Sequence, residues 1–169
     1  MPLTSDLGVS VSGTLTKAAD LSTPADRLAW RRGLHLESGT GAGKADLRFT
    51  DTRTLAASAT EDLDLAGVLT DAFGAALTFV RVKGLIISAA ATNTNNVIVG
   101  AATSNAWATL LNATGTLTLR PGASVTVMTG SADATTYAVT AGTADLLKVS
   151  NSGAGSTVSY DIVIIGASA

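Results

Sequence analysis

The chain has 169 residues, 46% of them hydrophobic but only 4% aromatic and 14% charged, with 11 basic and 13 acidic side chains for a net charge of −2. That length suits one domain with a real core, and the scattered charge lacks the basic footprint of a nucleic-acid-binding surface. Without cysteine there are no disulfides or thiolate metal sites. No apolar run approaches the ~20 residues of a membrane helix, and residues 1–6 show no basic region followed by an apolar core. The expectation is therefore a protein made in the cytoplasm and soluble there, with no membrane or nucleic-acid partner. Soluble domains usually carry about 25% charged residues. So poorly charged a surface fits an oligomer whose subunits cover one another; a tightly packed monomer with a Thr/Ser-rich surface is the alternative.

Along the chain, Val9, Val11 and Leu15 alternate with Ser10, Ser12, Thr14 and Thr16, which predicts a half-buried strand. Residues 20–24 read as a turn. Thr23 and Pro24 would suit a helix start, but Leu28, Trp30, Leu34 and Leu36 fall at even spacing against Arg31, His35 and Glu37, so a second strand is expected. The glycine-rich residues 38–45 superficially resemble a phosphate-binding loop. The pattern fails at both ends, because Ser38 stands where the first glycine is required and Ala45 where the magnesium-binding hydroxyl would be. A glycine-rich hairpin turn is the better reading.

Glu61, Asp62 and Asp64 form an acidic cluster without the calcium-loop pattern, and read as a solvated turn. Leu65, Val68, Leu69 and Phe73 repeat at helical spacing up to Gly74, which predicts one short helix. Residues 76–102 predict a long central β-hairpin. Val80, Val82 and Ile86 would lie on one face of its first strand, and Leu77, Phe79, Leu85 and Ile87 on the other, with an Asn-rich turn at 91–96 before Val97–Val99. Residues 105–111 are expected to form a strand. Further short strands are marked by Leu117 and Leu119, Val125 and Val127, Tyr137 and Val139, and Leu147 and Val149. Turns fall at 120–122, 129–133 and 141–143, and the last loop at 151–155. The final strand, with Val158, Tyr160, Ile162 and Ile164, is apolar enough to belong in the middle of a sheet. About ten short strands separated by Gly, Asn and Pro turns predict an all-β protein: a β-sandwich, with jelly-roll wiring expected. Residues 1–58 read as N-terminal strands or an arm, and 59–169 as the sandwich domain.

The residues offer little catalytic material. His35 is the one histidine, no strained nucleophile turn is present, ligands for zinc are too few, and no pair of carboxylates stands out for glycoside hydrolysis. The expectation is a protein that is not an enzyme and has no cofactor or metal, with a cell-wall hydrolase as the weakest of the readings kept open.

The order of motifs nevertheless has a likeness. Residues 53–58 (RTLAAS), 63–65 (LDL), 69–74 (LTDAFG), 77–79 (LTF), 97–100 (VIVG), 120–122 (RPG) and 160–166 (YDIVIIG) together resemble small structural proteins of tailed bacteriophages and related particles. These are the proteins that decorate heads or form spike and fibre modules, and the likeness covers about residues 50–166. It implies a self-associating β-sandwich, often a trimer, in the virion and in contact with the major capsid or other virion proteins. On that basis the leading expectation is a capsid decoration or cement protein. Trp30, Arg31 and Arg32 would be lattice-docking residues in the N-terminal third, unless Trp30 packs within its own core. The alternative is a tail or spike module that binds a host-surface glycan. It would use loops gathered at one end of the sandwich, residues 92–96 (with Asn93, Asn95 and Asn96) and 130–135.

Overall fold

The computed structural model describes residues 2–169. Twelve strands run in the order β1 (Ser5–Thr16), β2 (Ala25–Ser38), β3 (Lys44–Ala45), β4 (Leu47–Leu55), β5 (Thr60–Asp64), β6 (Arg81–Ala89), β7 (Val97–Gly100), β8 (Thr116–Leu119), β9 (Ser124–Met128), β10 (Tyr137–Ala138), β11 (Leu146–Asn151) and β12 (Val158–Ala167). The single helix among the described residues, α1, is one turn at Ala108–Leu111 between β7 and β8. The protein is all-β.

Two antiparallel sheets make the body. One has the order β10-β6-β12-β4, with β9 also paired to β6; the other has the order β5-β11-β7-β8. Between them lies the main core, with Phe49, Leu63, Leu85, Ile87, Val97, Val149, Tyr160, Ile162 and Ile164 among its buried members. Each fully buried aliphatic side chain here contributes roughly 1.5–3 kcal/mol. β12 does occupy the middle of its sheet, paired to β4 on one side and β6 on the other. Its register with β6 slips between Ile165 and Gly166, where Gly166 faces Val82 and Ile165 faces Gly84. Lys83 is the extra residue. A bulge resets the side-chain phase, so Val82 and Leu85 both enter the main core instead of taking opposite faces.

β1 and β2 form a long antiparallel hairpin, from Ser5 opposite Leu36 to Thr16 opposite Ala25. Only its base touches the body. There Leu7, Leu34 and Leu36 join Ala45 and Ile165 in a second, smaller core on the outer face of the β6–β12 sheet, against Met128 and Val163. Gly84 makes room for this contact, since a Cβ at that position would lie 2.5 Å from a methyl of Leu7.

Several expectations are corrected. β6 and β7 belong to different sheets, so residues 90–96 arch across the sandwich instead of closing a hairpin. Leu77 and Phe79 are buried in the connection before β6 and are not part of a strand. Residues 65–74 form turns, not a helix. The Asp64 carboxylate accepts from the Ala66 amide, and that of Asp71 from the amides of Phe73 and Ala75, so side chains take donors that a helix would pair internally. Leu65 and Leu69 are buried, whereas Val68 and Phe73 are each 75% exposed. The helix falls instead within 105–111, where a strand was expected. Trp107 is buried just before it, donating from Nε1 to the Ala138 carbonyl at 2.9 Å and meeting the Tyr137 ring edge-on. Residues 47–55, assigned to the arm by sequence, are an edge strand of the body, so the part that stands apart is the β1–β2 hairpin.

Candidate functional site

Every residue from Ser10 to Gly33 is exposed. At about 3.3 Å per residue the hairpin is some 40 Å long, and well over half of it projects from the body. Its tip is closed by Lys17 N–H donating to the Pro24 carbonyl at 3.1 Å and Ala19 N–H to that of Ser22 at 3.0 Å, with Leu21 fully exposed.

The register divides the arm into two unlike faces. Residues directly opposite in a pair share a face. On one face lie Val9 with Arg32, Val11 with Trp30, Gly13 with Leu28, and Leu15 with Asp26, continuing the line of Leu7 and Leu34 at the base. On the other lie Asp6 with His35, Ser10 with Arg31, Ser12 with Ala29, and Thr14 with Arg27. The first face is apolar and uncovered: Val11, Leu15, Leu28 and Trp30 are 49%, 75%, 55% and 49% exposed. The second is polar. At its base His35 Nδ1 lies 2.7 Å from Asp6 Oδ1, and that hydrogen bond raises the imidazole pKa above its ordinary value.

Trp30, Arg31 and Arg32 therefore all lie on the arm, but do not form one patch. Trp30 and Arg32 share the apolar face, and Arg31 points the opposite way. Trp30 belongs to neither core. The strand alternation was legible, but the exposure of both faces was not, because an apolar stripe reads identically whether it is covered by its own domain or by another molecule.

The loop residues behave differently. The Asn93 side chain donates from Nδ2 to the Ser159 carbonyl at 2.9 Å and accepts the Ser159 amide at 2.8 Å. Asn95 Nδ2 reaches Asn151 Oδ1 and the carbonyls of Gly153 and Ser156. Asn96 N–H donates to Ser152 Oγ at 2.9 Å. Asn151 itself is buried, donating to the carbonyls of Ala56 and Ser156 and accepting from the Gly153 amide. Asn93 thus fastens the arch to the start of β12 and Asn95 fastens it to the last loop, leaving few donors for a ligand. Nor do the two proposed recognition loops meet. The 90–96 arch follows the Ala89 end of β6, whereas 129–135 follows Met128, which pairs with Gly84 near the opposite end. Those ends are about 20 Å apart at strand spacing.

The glycine-rich loop is also explained. It is not a hairpin turn: β2 and β3 pair in parallel, Glu37 with Lys44 and Ser38 with Ala45. Gly39 and Gly43 have φ of 134° and 65°, where a side chain would be strained. The loop turns carbonyls inward, and Lys83, only 1% exposed, donates from Nζ to Thr40 O at 3.2 Å and to the carbonyls of Gly41 and Lys44. A phosphate cradle needs inward N–H groups; this loop holds a cation belonging to its own chain. Burial, with Arg81 nearby, pushes the Lys83 pKa down, against the pull of Asp46 and Asp133. No local pattern marks Lys83 as buried, because the carbonyls that hold it lie 39–43 residues away in the chain.

Several further polar groups are engaged within the chain, although Thr136 Oγ1 and Asp145 Oδ1 are buried without a partner among the described residues. Tyr160 is buried and donates to Glu61 Oε1 at 2.7 Å, while Arg53 donates from Nε to Glu61 Oε2 and from a terminal nitrogen to Asp51, each at 2.7 Å. This clasp joins the two sheets through β4, β5 and β12. Burial first, and then the bond to Glu61, raises the Tyr160 pKa far above its ordinary value. Asp62 faces Lys148 across the β5–β11 pair. A groove of about 590 Å³ runs past Leu3, Arg48, Phe73 and Leu77, but its two carboxylates are occupied, Asp46 by Ser168 and Asp71 by backbone amides. No cluster of three His, Cys, Asp or Glu suited to a metal occurs among the described residues. The uncovered arm is the feature that calls for a function.

No family model, curated protein or solved structure matches the chain.

Proposed function

We propose that this is a non-enzymatic structural protein of a virus particle, a decoration or cement protein that binds the assembled head lattice as an oligomer. The observation that carries the reading is the contrast between body and arm. The Asn-rich arch and the last loop spend most of their polar groups on one another, whereas the arm projects roughly 25 Å of two-stranded ribbon with uncovered side chains on both faces. An isolated two-stranded ribbon is marginally stable in water, and an exposed apolar patch of several hundred Å² marks an interaction surface. A protein that binds only the assembled shell stabilises it by mass action. The polar face, with Arg27 and Arg31, is the side we assign to the lattice.

A jelly-roll reading of the body is supported by its strand order. Counting β4, β5, β6, β7, β8, β9, β11 and β12 as strands one to eight, the sheets run 1-8-3-6 and 2-7-4-5, the order produced by two nested Greek keys.

The test is the copy number of this chain in purified particles, measured against the major shell protein. A near-stoichiometric ratio is expected. A few copies per particle would transfer the protein to a tail or spike, and absence from particles would overturn the virion reading.

A further inference from the structure

We infer that the apolar face of the arm is covered by the same face of a second copy, across a two-fold axis, so that two arms pack antiparallel and face to face. The argument rests on the order of side chains along the face. From base to tip the pairs read Val9/Arg32, Val11/Trp30, Gly13/Leu28, Leu15/Asp26. An axis crossing the ribbon midway between the second and third pairs brings each strand over its own copy, running in the opposite direction. Val9 then meets Leu15, and Val11 sits over Gly13, where nothing lies within 4 Å of a Cβ position. Trp30 lies against Leu28, and Arg32 meets Asp26.

Each element of this match is independent of the others. Arg32 and Asp26 are the only charges on the uncovered face from Val9 to Leu15, they are opposite in sign, and they lie equally far from the axis. Neither belongs to an ion pair within the chain among the described residues. Gly13 supplies the one gap, beside the bulkiest side chain of the row. A self-complementary patch of this kind is what an isologous two-fold contact requires. The body covers the same face at Leu7 and Leu34, so the pairing requires the arms to cross, as packed sheets do at roughly 30°, with the partner's tip lying to one side of the body. Arg27 and Arg31 stay outward, free for the lattice contact proposed above. The paired stretch is about 25 Å long and one ribbon wide, smaller than a standard interface of ~800 Å² per partner. Buried area does not fix affinity, and a contact this small is tested at micromolar concentrations.

The test uses the full-length protein in solution and no particle, so its failure is separate from any failure of the virion reading. Sedimentation from about 1 to about 100 μM should show a reversible monomer–dimer equilibrium. Arg32→Asp should weaken it by about tenfold or more, because two attractions become two repulsions. Asp26→Arg combined with Arg32→Asp should restore it, and Trp30→Ala should weaken it at unchanged thermal stability. A monomer throughout this range, a trimer, or a dimer that the double reversal fails to rescue would each overturn the inference.

Discussion

Replacing Lys83 by methionine tests whether a buried ammonium organises the loop above it. The wild-type Nζ is nearly inaccessible and its three N–H groups meet three carbonyls, those of Thr40, Gly41 and Lys44. Methionine has similar length and removes the cost of burying a charge, which alone would stabilise the fold. It also leaves three converging carbonyls without a donor. Hydrogen bonds to a charged group contribute about 1.5–3 kcal/mol each; the lower end applies here, because Gly41 is exposed and its carbonyl can turn to water. Three bonds at that lower end total about 4.5 kcal/mol; with about 2.5 kcal/mol recovered by no longer burying an ion, the net loss is about 2 kcal/mol. For a chain of this size that corresponds to a fall in melting temperature of roughly 4–8 °C. Calorimetry would read the fall, and hydrogen exchange should show the amides of residues 39–44 losing protection before those of β6. Lys83→Arg should not rescue, because a planar fork cannot aim three donors at carbonyls set around a point charge. A methionine variant as stable as wild type, with the loop equally protected, would refute the role assigned to Lys83.

Asn151→Ala should cost about 2 kcal/mol in denaturant unfolding, since Asn151 is buried and its loss strips partners from the carbonyls of Ala56 and Ser156 and from Asn95; a cost below 1 kcal/mol would refute the fastening role. Gly166→Ala should be among the most damaging single-methyl additions, because its Cβ would meet the Arg81 carbonyl at 2.1 Å and the Phe79 ring at 2.7 Å. We expect a loss of about 3 kcal/mol or failure to fold, read from soluble yield and melting temperature. For His35 the folded pKa is raised by Asp6, so the pair's contribution is fully present below the unfolded value near 6.5 and fades as pH climbs through the folded value. An NMR titration should place the wild-type midpoint above that of Asp6→Asn; equal midpoints would mean the pair is not formed in solution.

Strand identity was legible wherever alternation was clean, as in β1, β2 and β12, and the central place of β12 followed from its apolar content. Strand partners were not. An Asn-rich connection such as 91–96 fits a hairpin as well as an arch, and what decides for the arch is that β6 pairs with β12 and β9 whereas β7 pairs with β11 and β8 in the other sheet. The false helix at 65–74 shows propensity and period agreeing while Asp64 and Asp71 divert the amides. Of the candidate site, Trp30 and Arg32 were legible as arm residues, but Gly13, Leu28 and Asp26 gain meaning only from the register that sets them on the same face. Lys83 was not legible because its burial depends on loop carbonyls about forty residues upstream, which no local pattern connects to it.

The placing of β12 also governs the order in which the molecule can assemble during synthesis. Leu55 pairs with Val158 and Leu47 with Gly166, partners separated by about a hundred residues, a separation typical of slow-forming topologies. β12 lines the main core with one face and lends Ile165 and Val163 to the second core with the other. Neither core can close before it emerges, and until then β4 and β6 present open edges to any neighbouring nascent chain. The arm, by contrast, is a local hairpin whose two strands are complete by Ser38. Its strands can pair as soon as they emerge, but a lone ribbon is only marginally stable, so the surface assigned to partner recognition becomes lasting once the body anchors its base.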